Sequence, residues 1–114
     1  MKSLIRELDR VFSLYIRSRD NGVCFTCGKQ GNIGEMQCGH FIDRRHMATR
    51  FDEENCNCQC RQCNQFLDGN LDEYEAALRV KYGSDIIEKL HNRSQSIRKF
   101  LPQELEDMIA NYSD

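Results

Sequence analysis

What this chain lacks narrows what it can be. No run of apolar residues approaches the roughly 18 needed to cross a bilayer. The opening stretch, Met1-Lys-Ser-Leu-Ile-Arg-Glu-Leu-Asp-Arg10, is too charged for the apolar centre of an export signal. No membrane segment and no export are expected, and the predicted location is the cytoplasm. Positive charge is not in excess either: 16 basic residues stand against 18 acidic ones, for a formal net charge of -2. A global electrostatic case for nucleic acid is absent, so any phosphate contact must come from a local patch of Lys and Arg. Proline occurs once, at Pro102. No repeat, low-complexity segment or interdomain linker is visible, and 114 residues leave room for one domain with a modest core.

Cysteine, by contrast, is abundant. Seven are present, an odd number, and four fall in two Cys-x-x-Cys pairs, Cys24-Phe-Thr-Cys27 and Cys60-Arg-Gln-Cys63. Such spacing fits thiols kept reduced for metal better than a secreted disulfide framework. Each pair sets two thiolates on a tight turn, and a tetrahedral structural zinc site takes four ligands. Cys24, Cys27, Cys60 and Cys63 are therefore expected to hold one zinc. Sulfur fills all four positions and leaves none for water, so this ion is structural and the chemistry lies elsewhere. In so short a chain it would supply a large share of the stability of the stretch it closes.

Around this staple the periodicity predicts helices. Leu4, Leu8, Val11, Phe12 and Tyr15, widened by Ile5 and Ile16, recur at helical steps over residues 3 to 19, a packing helix that Asp20-Asn21-Gly22 ends. Gly28, Gly31 and Gly34 mark a loop without regular structure. Residues 36 to 42 and 54 to 59 are expected to be short antiparallel strands. Cys56, Cys58 and Cys60 alternate with Asn57 and Gln59, as in a half-buried strand with its cysteines facing one way. Cys56 and Cys58 read first as small buried residues and second as spare zinc ligands; Cys38 is left without a role. Residues 64 to 68 form a short helix closed by Gly69. Asn70 caps the next helix through a capping-box-like pairing with Glu73, and that helix ends at Gly83. Another starts at Ser84, and Pro102 fits the first turn of a last one carrying Leu105, Met108, Ile109 and Tyr112. The predicted fold class is α+β. A single domain, 1–114, comprises an N-terminal helix (1–22), a zinc-stapled core (23–70) and a helical tail (71–114).

His40 is the candidate catalyst. It lies on the strand between the knuckles, Asn55 falls five residues before Cys60, and Asn64 directly follows Cys63. In that order, Cys24-x-x-Cys27, Gly39-His40, Asn55 and Cys60-x-x-Cys63-Asn64 resemble the zinc-containing HNH, or ββα-metal, endonuclease motif. Gln37-Cys-Gly-His-Phe, Arg50-Phe, Glu54-Asn and Gln59-Cys-Arg-Gln-Cys-Asn-Gln, followed by Gly69-Asn-Leu, are more closely similar to the NinG/Rap recombination endonucleases of lambda-like phages. The similarity is specific from Cys24 through Tyr82.

The resemblance implies a ββα-metal core for residues 23–70 and a hydrolase acting on DNA phosphodiester bonds, with His40, Asn55 and Asn64 as its catalytic set. His40 would be the general base, a task that suits a neutral imidazole near pH 7. Asn55 would brace the loop and orient His40. Asn64 would ligate a divalent ion, magnesium or manganese, through its amide oxygen. Many relatives have a metal ligand immediately before the general base, where this chain has Gly39. Asp68, four residues after Asn64, is the expected replacement. Arg44, Arg45 and Arg50, between His40 and Asn55, are expected to contact phosphates beside the scissile bond. The implied substrates are branched recombination intermediates, Holliday junctions and D-loops, cut by a homodimer joined through the helical tail, in the bacterial host cytoplasm if the chain is phage-encoded. Two other readings stay open: a non-catalytic zinc-ribbon module that binds DNA or protein, and a less selective HNH nicking or restriction-type nuclease.

Overall fold

Lys2–Arg19 form one helix, α1, because apolar residues recur on one side of it: Leu8, Val11, Phe12 and Ile16 are all buried. The helix stops where Asn21 and Gly22 take left-handed backbone, and the Gly22 N–H reaches back to Arg17 O at 3.0 Å, satisfying a terminal carbonyl. The computed structural model describes residues 2–113, and no helix in it is long and apolar enough to cross a membrane.

The class is α+β. Strands β1 (Gln37–His40) and β2 (Cys56–Gln59) pair antiparallel, with Gln37 opposite Gln59 and His40 opposite Cys56. The connection between them carries a short helix, α2 (Met47–Arg50). After β2 comes a π-helical turn, Gln62–Phe66, and then α3 (Leu71–Tyr82), α4 (Ile86–Ser94) and α5 (Pro102–Tyr112).

The hairpin is covered on both faces, which corrects the half-buried expectation for β2: all four of its residues are buried. On one side Cys56 joins Leu8, Val11, Phe12, Ile16, Phe51 and Leu105 in a single cluster. On the other, α3 and α4 supply Tyr74, Leu78, Ile86, Ile87 and Leu90. The last helix folds back on the first. Leu105 is fully buried, and the Tyr112 ring meets Phe12 edge-on at 5.0 Å. The buried face of α5 thus packs within its own chain, while Ile97 and Leu101 just before it stay exposed.

Asn70 also departs from expectation. It precedes α3 but sits at φ 50°, and its side chain makes no cap. Its amide instead reaches Cys63 Sγ at 3.6 Å.

Tyr74 and Gly39 lock the hairpin to α3. The buried Tyr74 hydroxyl donates to Gly39 O at 2.7 Å and accepts from Asn57 Nδ2 at 3.2 Å. A Cβ on Gly39 would lie 1.8 Å from Gln59 Oε1 and 2.6 Å from its Cδ, so no larger residue fits without displacing Gln59. The absence of a ligand-bearing side chain before His40 therefore has a packing cause. Replacing Tyr74 with Phe keeps the ring and leaves Gly39 O and Asn57 Nδ2 without this partner in a buried place. A loss of about 1–3 kcal/mol is expected, read as a lower urea midpoint at unchanged slope. An unchanged midpoint would show that the hydroxyl does not tie the hairpin down.

Candidate metal centre and groove

The two knuckles converge. The sulfurs of Cys24, Cys27, Cys60 and Cys63 all lie within 4.8 Å of one another, and Cys27 Sγ is 3.7 Å from Cys60 Sγ. A zinc tetrahedron with sulfur at about 2.3 Å has edges of about 3.8 Å, so the donor set fits such an ion. No cysteine is in a disulfide. The backbone closes the arrangement: Cys24 N–H donates to Lys29 O at 2.8 Å, and Phe25 N–H donates to Cys58 O at 2.8 Å, tying the first knuckle to β2. Gln59 Nε2 donates to Thr26 Oγ1 at 3.0 Å, which leaves the Thr26 hydroxyl proton for Cys24 Sγ, 3.4 Å away.

Without a cation the thiols do not share their protons evenly. Burial opposes ionisation of Cys24, but hydrogen bonds from the Thr26 hydroxyl and from backbone N–H groups bring it down to about 6. Cys27 has help from the Lys29 N–H, yet burial and the neighbouring sulfurs hold it up to about 12. One thiolate forms readily and the next resists, as expected of a cluster that needs a divalent ion to lose its remaining protons.

Beside this centre lies a groove of about 380 Å³ between α1, β1 and the π-helical turn, with Asp9, Arg17, Gln37, Cys38, His40 and Asn64 among its lining residues. His40 Nε2 is 2.9 Å from Arg50 O. A carbonyl only accepts, so Nε2 carries the proton and Nδ1 holds the free lone pair. Burial pushes the imidazole below its usual range, against the pull of that hydrogen bond. The ring is neutral at pH 7.

Asn55 is fully buried. Its Oδ1 accepts from Ile42 N–H at 2.9 Å, and its Nδ2 donates to Ile42 O and Thr49 O, each at 3.0 Å. It clamps both ends of the arginine-bearing connection. Its side-chain hydrogen bonds go to Ile42 and Thr49 and not to His40, so it bears on the imidazole by holding the backbone that presents Arg50 O. Asn64 Nδ2 donates to Gln37 Oε1 at 2.8 Å, which orients the amide and leaves Oδ1 as its acceptor.

The structure does not bring together every expected residue. Asp68 is exposed, lies beyond the π-helical turn at φ 48°, and is not part of the groove. The turn closes with Leu67 N–H on Gln62 O, five residues back, and the chain then flips left-handed, so the four-residue helical step assumed from Asn64 does not apply. The carboxylate that does line the groove is Asp9 of α1. A polar ladder at four-residue steps, Asp9, Ser13 and Arg17, was its signal, hidden beside the apolar stripe. Arg50 is not a free phosphate contact: it grips Asp9 bidentately, at 2.5 and 3.0 Å, with its side chain 15% exposed. Arg45 is 86% exposed and paired with Asp43 at 2.8 Å, and it lies outside the groove. Only Arg44 reaches the groove, 60% exposed and 3.9 Å from Asp9.

Replacing Cys63 with Ser is expected to abolish the tightly held equivalent of metal and, with it, the ordered central stretch. Structural zinc is worth about 10–16 kcal/mol in small zinc-binding peptides, against a total stability of about 5–15 kcal/mol for a typical domain. Metal analysis and amide chemical-shift dispersion check this, and full metal retention in the variant would remove Cys63 from the centre.

Comparison with known proteins identifies a family. A family model described as "Bacteriophage Lambda NinG protein" matches residues 1–114. The Protein ninG of Escherichia phage 933W is 30% identical over an alignment covering 96% of this chain and 60% of that protein. Those of Escherichia phage lambda and Salmonella phage P22 are 29% and 31% identical, again over 96% of this chain and 59% and 60% of theirs. The chain thus spans about three-fifths of the length of these curated relatives. No solved structure matches it. With the whole chain under the family model, the chain belongs to the NinG family of bacteriophage proteins.

Proposed function

We propose that this chain is a metal-dependent DNA endonuclease in which His40 takes the proton from the attacking water. The observation that carries the reading is the state of His40: neutral, held by Arg50 O through Nε2, and lining the groove it shares with Asn64 and Asp9. The knuckle cysteines hold a structural zinc beside that groove.

For magnesium or manganese the groove offers few hard oxygens: Asn64 Oδ1 and the Asp9 carboxylate, the latter already bound to Arg50, while the side-chain oxygens of Ser13, Gln37 and Gln65 accept hydrogen bonds from Arg17, Asn64 and Arg61. That set fits an ion that keeps several waters and takes its remaining ligands from a substrate phosphate. When bound, it would supply charge stabilisation to the phosphoryl group and the leaving oxygen. Asn64 would hold it with Asp9 in the place first given to Asp68. Arg44 meets a flanking phosphate. Phe66 is 65% exposed with the Arg61 guanidinium 5.5 Å from its ring, a surface on which an unpaired base at a branch point can stack. This favours branched recombination intermediates over plain duplex. Two symmetric cuts need two sites, hence a homodimer. Its contact would use the exposed part of the tail, where Ile97 and Leu101 are 90% and 65% exposed.

The test is cleavage of matched duplex, flap and four-way DNA with Mg²⁺, beside His40→Ala shown to retain its metal. Activity on branched DNA that falls by about 10²–10⁴-fold in the variant supports the reading. No cleavage of any substrate points instead to a zinc-ribbon binding module, and equal cleavage of all points to an unselective nicking enzyme. The rate should fall as pH drops through the lowered pKa of His40, below its usual 6.5, because protonation removes the base. Stability shares that sign, since the unfolded imidazole binds its proton more readily than the native one. Asp9→Asn should raise the Mg²⁺ concentration needed for half-maximal rate, whereas Asp68→Asn should not. The opposite result would restore Asp68 and remove Asp9.

A further inference from the structure

The knuckles do not use all the cysteine near the groove. A sulfur from Cys38, a sulfur from Cys56 and a ring nitrogen of His40 lie within 4.8 Å of one another. The strand register explains why: His40 stands opposite Cys56 and Cys38 is two residues before His40, so all three occupy the same face of the hairpin, the one toward α1. We propose that Cys38, His40 and Cys56 form a second metal site for a thiophilic divalent cation of the zinc type, with its fourth position open to the groove.

The donors select the ion. Two sulfurs and an imidazole suit zinc, and three protein ligands leave a fourth position for water or another ligand. No carboxylate belongs to the set, so it does not suit magnesium. Zinc-ligand distances of about 2.0–2.3 Å require donor separations of about 3.5–3.8 Å, so from separations within 4.8 Å the three close by about 1.3 Å at most. Cys56 is fully buried while Cys38 and His40 line the groove, which places the entry route and the open position on the groove side. A disulfide is the weaker alternative. Cys38 stands opposite Cys58, not Cys56, and diagonal positions on paired strands are about 7–8 Å apart, too far to bridge without moving backbone. A cation held here takes His40 out of the hydrolytic reaction. That consequence alone rests on the nuclease reading, and the site does not.

Protein carrying its knuckle metal is titrated with Co²⁺ and followed by visible absorption, sulfur-to-cobalt charge transfer and metal analysis. One additional equivalent per chain with the bands of a tetrahedral thiolate site is expected, displaced by Zn²⁺. Cys38→Ser, at a half-buried position, should weaken that equivalent by more than the 10–100-fold typical of losing a mere outer partner. The knuckle metal should stay at one per chain in the same variant, which shows that it is folded. His40→Gln should weaken it likewise. No additional equivalent, or one bound equally well by Cys38→Ser and Cys56→Ala, would overturn the proposal and leave these cysteines as packing residues. If the equivalent binds yet leaves DNA cleavage by the same sample unchanged, the site stands and His40 is not the base.

Discussion

Four sulfur atoms, two from each end of the central stretch, meet within one bonding sphere, and the rest of the molecule is arranged around that meeting. Residues 24 and 27 sit on a turn whose backbone is tied to β2 by the Phe25–Cys58 bond. Gln59 then links the two ends a second time, donating to Thr26 Oγ1 and to Gly69 O. Asn70 adds a hydrogen bond to Cys63 Sγ from just beyond the π-helical turn. Each of these contacts also orients something else. The turn that ends in Gly69 begins at the second knuckle, so holding the sulfurs in place holds Asn64 beside β1.

The hairpin is short, and two strands alone are marginal in water. It survives because helices close on both of its faces. On the α1 side the cluster around Phe12, Phe51 and Leu105 covers Cys56. On the α3 side the Tyr74 hydroxyl satisfies the backbone of β1 and the side chain of Asn57. Fully burying one leucine of such a cluster contributes about 1.5–3 kcal/mol. The folding back of α5 is thus more than a tail: it completes the layer behind α1, whose residues form one wall of the groove.

Electrostatics in the groove are local and differ from those of the whole chain. The chain carries a formal charge of -2, yet the groove is lined by two arginines, Arg17 and Arg44, and one carboxylate, Asp9, which Arg50 already holds, so its lining is net positive. His40 stays neutral because burial outweighs the hydrogen bond that favours its charged form. Arg50 contributes to the site through its main chain, whose carbonyl fixes the imidazole, and its guanidinium anchors α1 to the connection. Asn55 supports both by clamping Ile42 and Thr49.

Much of this was legible in the residues alone, and the boundary is physical. The knuckles, the α1 stripe, the two short strands and the helix begun by Pro102 follow from spacing, which covalent geometry and helical or pleated periods enforce locally. The order Cys24, His40, Asn55, Cys60, Asn64 likewise marked out the stretch that supplies part of the groove, with His40 and Asn64 in its lining. What spacing cannot encode is which face of one element meets another. That Asp9 lines the groove in place of Asp68, that Arg50 is consumed by it, and that Asn70 turns to a sulfur rather than capping α3 all depend on the docking of α1 and the winding of one turn. The register of β1 on β2 likewise gathers Cys38, His40 and Cys56 from separate strands. The sequence determined the staple and the elements because both are local; the tertiary structure decided the lining of the groove, because only packing settles which side chains share a space.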